Sequence, residues 1–226
     1  MDWKVLFAAP AAVLLMAAAS SGFENAKGWG SSSTGPGPTA YRIGLDPQSA
    51  YLDAPTLSVQ STAALDEFTH GSATTWATGY AGKRVRLSGF YRTEGVKHWA
   101  GVYMEARERP DSASFVGPRR VLKSSELPLV VGTNGDPAQP RDSAGWQPFA
   151  ITLDVPQGNG GVVMMGPLVR GEGKVWVARM RFEEVGQSVP LSVDRLPLRL
   201  EAFNAGLQQV PQYSARPQPP GNLDLM

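Results

Sequence analysis

The sequence predicts an all-β protein whose main domain is an antiparallel β-sandwich. Several short segments alternate apolar and polar residues with a period of two, which is the pattern of a half-buried strand. Glycine and proline supply 25 and 19 of the 226 residues, so turns are too frequent for long helices. No amphipathic helical pattern of useful length follows the N-terminal region. Strands joined by short turns, with no helices between them, indicate two packed sheets.

The clearest alternation lies in residues 83–92, where Val85, Leu87 and Tyr91 share one face and Phe90 lies on the other. The other predicted strands are residues 41–45, 55–61, 98–107, 149–155, 162–169 and 174–183, with one more around 119–123. The alternation also predicts which large side chains are buried. These are Leu87, Met104, Leu153, Trp176 and Phe182.

The chain divides into three parts. Residues 1–19 resemble an export signal, because Lys4 precedes a short apolar run and Ala17 and Ala19 have the spacing that signal peptidase prefers. The run is too short to span a bilayer comfortably, so no stable membrane span is expected after cleavage. The alternatives are a buried N-terminal helix or an artificially early start codon. Residues 20–186 are predicted to form the sandwich, and a periplasmic or secreted location is expected.

Two segments are predicted to be irregular. Residues 28–38 are rich in Gly, Ser and Pro and are expected to be flexible. Residues 187–226 are rich in Pro and Gln, which is typical of an extended tail that wraps a domain or of a linker.

Composition excludes several classes of function. The absence of cysteine excludes disulfides, thiolate nucleophiles and zinc–thiolate sites. The net charge is +1 and no basic run is longer than Arg119–Arg120, so nucleic acid is a disfavoured partner. For metal or serine chemistry the chain offers two histidines, neither at metal-ligand spacing, and no G-x-S-x-G motif.

Four segments together resemble carbohydrate-binding jelly rolls of the galactose-binding-like type. They are Phe23–Glu24, the strand YAGKRVRLSGF at residues 80–90, Gly145–Trp146, and the closing strand GKVWVARMRF at residues 173–182. The resemblance spans residues 22–185 and implies a jelly-roll fold. Relatives of this type include sugar-binding modules, appendages of glycosidases and domains of bacterial regulators, so the resemblance alone does not fix a function.

The same resemblance bears on metal binding. The closing strand of the family usually carries Asp-Asp, whose first residue commonly helps to hold a structural calcium ion. This chain has Ala178 and Arg179 there, which works against a cation that requires six to eight oxygen ligands. Glu24 remains as one possible ligand. A structural calcium is therefore disfavoured, and no cofactor is expected.

A candidate ligand site follows from two strand faces. In residues 98–107, the face opposite Val102 and Met104 presents the set Trp99, Tyr103, Glu105 and Arg107. The corresponding face of residues 83–92 presents Arg86, Phe90 and Arg92. The short connection at residues 93–97 suggests neighbouring strands, so these side chains are predicted to share one sheet face. Aromatic rings beside arginines and a carboxylate are suited to sugar recognition. The alternative is an ordinary solvated face with cross-strand Arg–Glu pairs.

The leading hypothesis is a non-catalytic module that binds a glycan or small ligand on one face of the sandwich. A second hypothesis is an interaction or structural domain that docks on an envelope protein. A third is a glycoside hydrolase that uses Glu94 with Glu105, or Glu105 with Glu183, as its carboxylate pair. Trp146 is expected to pack beneath the sheet rather than bind ligand.

Overall fold

A computed structural model describes residues 23–35, 37, 39–106, 129–134, 143, 145–157, 161–194 and 217–226. In chain order, the strands in these residues are β1 (Gly30–Thr34), β2 (Tyr41–Tyr51), β3 (Ala54–Ser61), β4 (His70–Ala77), β5 (Arg84–Glu94), β6 (Trp99–Glu105), β7 (Leu129–Asn134), β8 (Gln147–Asp154), β9 (Val163–Arg170) and β10 (Lys174–Glu184). Within the described ranges, no helix has the length and apolar character needed to cross a bilayer.

The strands form two antiparallel five-stranded sheets. Sheet A has the order β2-β3-β10-β5-β8, and sheet B has the order β1-β4-β9-β6-β7. The predicted fold class, an antiparallel β-sandwich, is confirmed.

The core lies between the sheets and follows the predicted alternation. Val85, Leu87 and Tyr91 of β5 are buried in it, and Leu87 pairs with Ile151 of β8. Met104 is fully buried and Leu153 nearly so, as predicted, and Phe182 packs against the core while partly exposed. The period of two therefore predicted correctly which faces of β5 and β8 point inward.

Three strands were not predicted. β1, with the sequence GSSST, pairs along its length with β4, so the prediction that residues 28–38 are flexible is wrong for this part. β1 and β4 consist largely of small polar residues, so neither shows the alternation of apolar and polar residues that predicts a strand. Their pairing at the edge of sheet B depends on backbone hydrogen bonds, which do not require apolar side chains. β7 was also missed, and the strand predicted around residues 119–123 lies outside the described residues.

The connection from β5 to β6 carries the chain from one sheet to the other. It turns at Gly95, whose φ is 62°, and Val96 then inserts into the core with no exposed surface. The backbone N–H of Lys97 donates to the carbonyl of Glu172 at 3.0 Å, which fixes the crossing against the β9–β10 turn. A short connection can thus join strands of opposite sheets, because the buried valine closes the end of the sandwich.

The described parts of residues 187–226 lie against the sandwich. The guanidinium of Arg84 donates to the carbonyls of Gln187 and Val189, and the backbone N–H of Ser192 donates to the carbonyl of Thr152. Near the C-terminus, Gln218 exchanges two backbone hydrogen bonds with Thr78, and Leu225 is buried in the core.

Candidate functional site

Partly exposed aromatic side chains gather on the outer face of sheet A. Phe90 and Arg92 lie two residues apart on β5 and therefore point to the same face, away from Tyr91 in the core. In the register of the sheet, Arg92 pairs with Trp176 of β10, which places the indole beside the guanidinium. Tyr51 ends β2, and Trp146 precedes β8. We call the set Tyr51, Phe90, Arg92, Trp146 and Trp176 the aromatic shelf.

The rings of the shelf are in contact. The centroids of Tyr51 and Phe90 are 4.5 Å apart, and those of Tyr51 and Trp146 are 5.0 Å apart. Both pairs are tilted, by 32° and 47°. Tyr51, Phe90 and Trp146 are each partly exposed, so the cluster presents apolar ring surface to solvent.

Arg92 is held between two indoles. Its Cζ atom lies 4.0 Å from the ring centroid of Trp176 and 5.8 Å from that of Trp146. Both distances allow attraction between a cation and the face of an aromatic ring. The Nε atom is buried and has no hydrogen-bond partner among the described residues. The shelf therefore contains a guanidinium whose charge is contacted by rings rather than by a carboxylate.

A buried carboxylate fixes Trp176. The Oδ2 atom of Asp46 accepts hydrogen bonds from Trp176 Nε1 at 2.8 Å and from Lys174 Nζ at 2.9 Å. Burial raises the pKa of the Asp46 carboxyl, but the hydrogen bonds from Lys174 and Trp176 outweigh this, and its pKa lies below the usual value. Asp46 is thus ionised at neutral pH, and its charge neutralises that of Lys174.

The predicted site residues fall into two groups on opposite outer faces, so the single site predicted for them is wrong. β5 pairs with β8 and β10 in sheet A, whereas β6 pairs with β7 and β9 in sheet B. Arg86, Phe90 and Arg92 lie on sheet A, and Trp99, Tyr103 and Glu105 lie on sheet B. The physical reason is the crossing at Val96, which separates strands that are adjacent in sequence. Arg107 lies outside the described residues.

Trp99 and Tyr103 do point away from the core, as their parity predicts, but they are buried. Their exposed fractions are 2% and 1%, and they form a separate apolar cluster with Val130 and Leu168. Tyr103 shares a hydrogen bond of 2.6 Å with the hydroxyl of Thr74. The predicted open stacking platform of Trp99, Tyr103 and Glu105 is therefore wrong.

Glycines explain the burial of Trp99. Gly101 and Gly132 face each other across β6 and β7, and a Cβ atom on either would lie within 3.0 Å of the Trp99 ring. The indole therefore occupies the space that side chains at the two glycines would fill.

Arg86 is already paired with a carboxylate of the neighbouring strand. Its Nη2 and Nε atoms donate to Oε1 of Glu183 at 2.6 and 3.0 Å. This is the cross-strand Arg–Glu pair of the alternative interpretation. Of the seven predicted site residues, Phe90 and Arg92 remain in an accessible cluster.

Tyr51, Trp146 and Trp176 were missed by the sequence reasoning. Trp176 was placed in the core because it shares parity with Met180 and Phe182, and it is indeed buried, with 3% exposed. A β-bulge between Ala178 and Arg181 shifts the register, so Trp176 lies on the outer face. Trp146 contacts Tyr51 and Arg92 on that face, so its predicted position beneath the sheet is wrong.

Metal-ligating residues do not gather in the described part of the chain. Among these residues there is no group of three or more His, Asp or Glu side chains that could hold an ion. Glu24, the ligand that the family resemblance left in place, is exposed and forms a backbone bridge with Leu45.

Comparison with known proteins gives one similar sequence and several similar structures. No family model matches the chain. The chain is 32% identical over 173 residues to an uncharacterized HTH-type transcriptional regulator, YbfP, of Bacillus subtilis (strain 168). The match covers 76% of the chain and 52% of the regulator, so the chain spans about half the length of this curated relative.

Solved carbohydrate-binding modules are among the similar structures, the class that the sequence motifs resemble. The CBM22-1 xylan-binding domain of Paenibacillus barcinonensis Xyn10C has a TM-score of 0.42 and 10% identity, with 71% of the chain and 88% of the domain covered. TmCBM61 in complex with β-1,4-galactotriose has a TM-score of 0.37 and 14% identity, with 71% and 91% covered. The enzymatically active domain of bacteriophage CBA120 tailspike protein 4 has a TM-score of 0.44 and 11% identity, with 72% of the chain and 20% of that protein covered. Likeness at these scores does not bear on the ligand of this chain.

Proposed function

We propose that this chain is a non-catalytic binding module that holds carbohydrate on the aromatic shelf of sheet A. The observation that supports the proposal is the contiguous, partly exposed ring surface of Tyr51, Phe90 and Trp146, with centroid separations of 4.5 and 5.0 Å. Exposed rings in contact with one another are uncommon where no ligand or partner covers them.

The shelf offers what a sugar ring needs. The C–H face of a pyranose is apolar and packs against aromatic rings, while its hydroxyl groups require nearby polar partners. At the shelf these partners are Arg92, between the two indoles, and Arg179, whose Cζ lies 6.0 Å from the ring centroid of Tyr51. Tyr51 and Phe90 belong to strands of sheet A, and Trp146 packs against Tyr51, so little side-chain entropy is lost on binding.

The absence of catalysis is part of the proposal, and the positions of the candidate carboxylates support it. Glu94 and Glu183 belong to sheet A, whereas Glu105 lies on the outer face of sheet B, so neither proposed pair shares a face. The hydrogen bond from Arg86 holds the pKa of Glu183 below its usual value, which is opposite to the shift that a general acid needs.

Glycan-array screening followed by calorimetry tests the proposal. Trp146→Ala and Phe90→Ala should each weaken glycan binding by about 1–3 kcal/mol, the scale of aromatic stacking on planar ligands. Phe68→Ala is the matched control, because Phe68 is an aromatic residue outside the shelf with 53% of its surface exposed. Glycan binding that is unchanged in both shelf variants, or absent in the wild type, contradicts the proposal.

The similarity to the regulator favours a second candidate function. In this case the sandwich is an interaction domain whose binding to a partner protein depends on whether its own ligand is bound. The observation is that the 32% identity extends over 76% of this chain and about half of the regulator. Cross-linking with and without bound glycan tests this second candidate. A partner protein that is cross-linked in only one of the two conditions is expected if the sandwich is such an interaction domain. Export directed by residues 1–19, to the periplasm or the medium, also stays a proposal, and cell fractionation tests it.

A further inference from the structure

We infer that the aromatic shelf selects sugars that carry a carboxylate, such as uronic acids, over their neutral counterparts. The inference rests on the proposed function, because it names the class of glycan that the same site takes. The observation that supports it is the excess of positive over negative side chains around the rings.

Arg92 and Arg179 have no carboxylate partner among the described residues. Arg92 contacts the rings of Trp146 and Trp176. Arg179 is exposed and donates to the carbonyl of Leu52 at 2.9 Å, and its Cζ lies 6.0 Å from the Tyr51 centroid. The two cations thus flank the ring surface without being neutralised.

Arginines elsewhere on β5 are paired. Arg84 forms a bidentate ion pair with Asp154, with distances of 2.7 and 2.8 Å, and Arg86 pairs with Glu183 at 2.6 Å. Arg92 is on the same strand and the same face but has no such partner. Asp46, the carboxylate that accepts a hydrogen bond from the indole of Trp176, forms an ion pair with Lys174 instead. The net charge at the shelf is therefore positive.

The rings attract the charge of the Arg92 guanidinium but leave one of its donors unsatisfied in the free protein. Its Nε atom is buried without a hydrogen-bond partner among the described residues, which leaves a polar group partly desolvated. A carboxylate that approached the open edge of the guanidinium would provide a charge-assisted hydrogen bond. The adjacent rings of Tyr51 and Phe90 would contact the sugar at the same time. A free inorganic anion would gain only the first of these contacts.

Calorimetry on the full chain tests the inference with matched ligands. The probes are oligosaccharides of galacturonic, glucuronic and mannuronic acid, each beside its methyl ester, which keeps the ring and removes the charge. We expect at least one acid to bind about tenfold or more tightly than its ester, with a preference that weakens as salt is raised. Arg92→Gln should abolish the preference. Arg181→Gln should keep it, because Arg181 is a cation on the same sheet with 76% of its side chain exposed.

The outcomes separate the two proposals. An ester that binds as tightly as its acid, with binding still lost in Trp146→Ala, overturns the acidic preference and leaves the carbohydrate site standing. If the acids, the esters and the neutral glycans of the array all fail to bind, both proposals are overturned. Competition by inorganic phosphate or acetate as strong as that of the sugar acids overturns the inference in favour of a plain anion site. The ester comparison needs no variant, so the inference is tested even if Arg92→Gln does not fold.

Discussion

Asp46 on β2 and Trp176 on β10 are joined by a hydrogen bond of 2.8 Å between the carboxylate and the indole N–H. The same oxygen accepts from Lys174 at 2.9 Å, so one buried carboxylate orients a tryptophan and neutralises a lysine. This bond spans the outer face of sheet A, because β3 lies between the two strands.

Removing this carboxylate should destabilise the fold. Asp46→Ala leaves the indole N–H and the lysine ammonium without their acceptor, and hydrogen bonds to charged groups contribute about 1.5–3 kcal/mol. We expect a loss of about 2–3 kcal/mol in urea unfolding. Asp224→Ala, at an exposed acidic residue near the C-terminus, should change stability by less than about 0.5 kcal/mol. An Asp46→Ala protein as stable as the wild type would show that water replaces the carboxylate.

Tyr103 should behave as a core residue although it lies on the outer face of sheet B. It is 1% exposed, so Tyr103→Ala should cost about 3–5 kcal/mol. Tyr103→Phe removes only the hydroxyl that bonds Thr74, and should cost about 1 kcal/mol. Chemical denaturation measures both. A small effect of Tyr103→Ala would restore the surface role that the sequence predicted.

Acid should destabilise the protein through His70. Burial, together with the nearby charge of Arg170, lowers the pKa of His70 from 6.5 to about 4. Between these values the unfolded chain binds a proton that the folded chain does not, so stability falls as the pH drops from about 6.5 to about 4. The loss is at most on the order of 3 kcal/mol, from 1.36 kcal/mol per pKa unit.

Stability should be measured against pH in the wild type and in His70→Gln. The variant removes the titrating group and should flatten the curve in this window, while the acid-sensitive Asp46 remains in both proteins. Parallel curves for the two proteins would assign the pH dependence to other groups.

The turn between β2 and β3 can be improved. Leu52 and Asp53 have φ angles of 46° and 65°, which most residues avoid, and two-residue hairpins of this kind prefer Asn-Gly. Leu52 is 66% exposed, so little packing is lost on substitution. The double change Leu52→Asn and Asp53→Gly should raise stability by about 0.5–1 kcal/mol in thermal or urea unfolding, because the relieved backbone strain exceeds the conformational entropy that the glycine adds to the unfolded chain. A decrease would mean that the present side chains make contacts worth more than the backbone strain.

Calcium should not stabilise the protein. Ala178 and Arg179 stand where the resembled family has acidic residues, and a bound ion would raise the melting temperature by mass action. We therefore expect the same melting temperature in millimolar calcium and in chelator. A rise of several degrees with calcium would show that other oxygen atoms complete a site.

The sequence predicted the fold class because alternation is strong where one face of a strand is buried, as in β5 and β8. It did not predict which sheet each strand joins. Periodicity assigns residues to a face, but the partner of β6 depends on the crossing at Val96, which has no local signature. β4 was missed because His70–Ala77 is buried along most of its length and carries small polar residues rather than an alternating pattern.

The candidate site was predicted in part for the same reason. The alternation of apolar and polar residues within β5 was enough to place Phe90 and Arg92 on an outer face. Tyr51 and Trp146 reach them from distant parts of the chain, so only the tertiary structure brings them together. Trp176 was given the wrong face because a bulge breaks the period within β10.

That bulge has an evolutionary consequence. Between Ala178 and Arg181, β10 uses three steps where β5 uses two, and Arg179 takes up the extra residue with a φ of 48°. Before the bulge, odd-numbered residues such as Val177 face the core, and after it the even-numbered Met180 and Phe182 do. Without the extra residue, the pairing of β10 with β5 would be regular, Val177 and Met180 would still face the core, and Trp176 would stay on the outer face. Deletion of the single codon for Arg179 would therefore keep the indole that supports Arg92 but remove one of the two cations that flank the shelf, so related sandwiches could gain or lose this charge in one step.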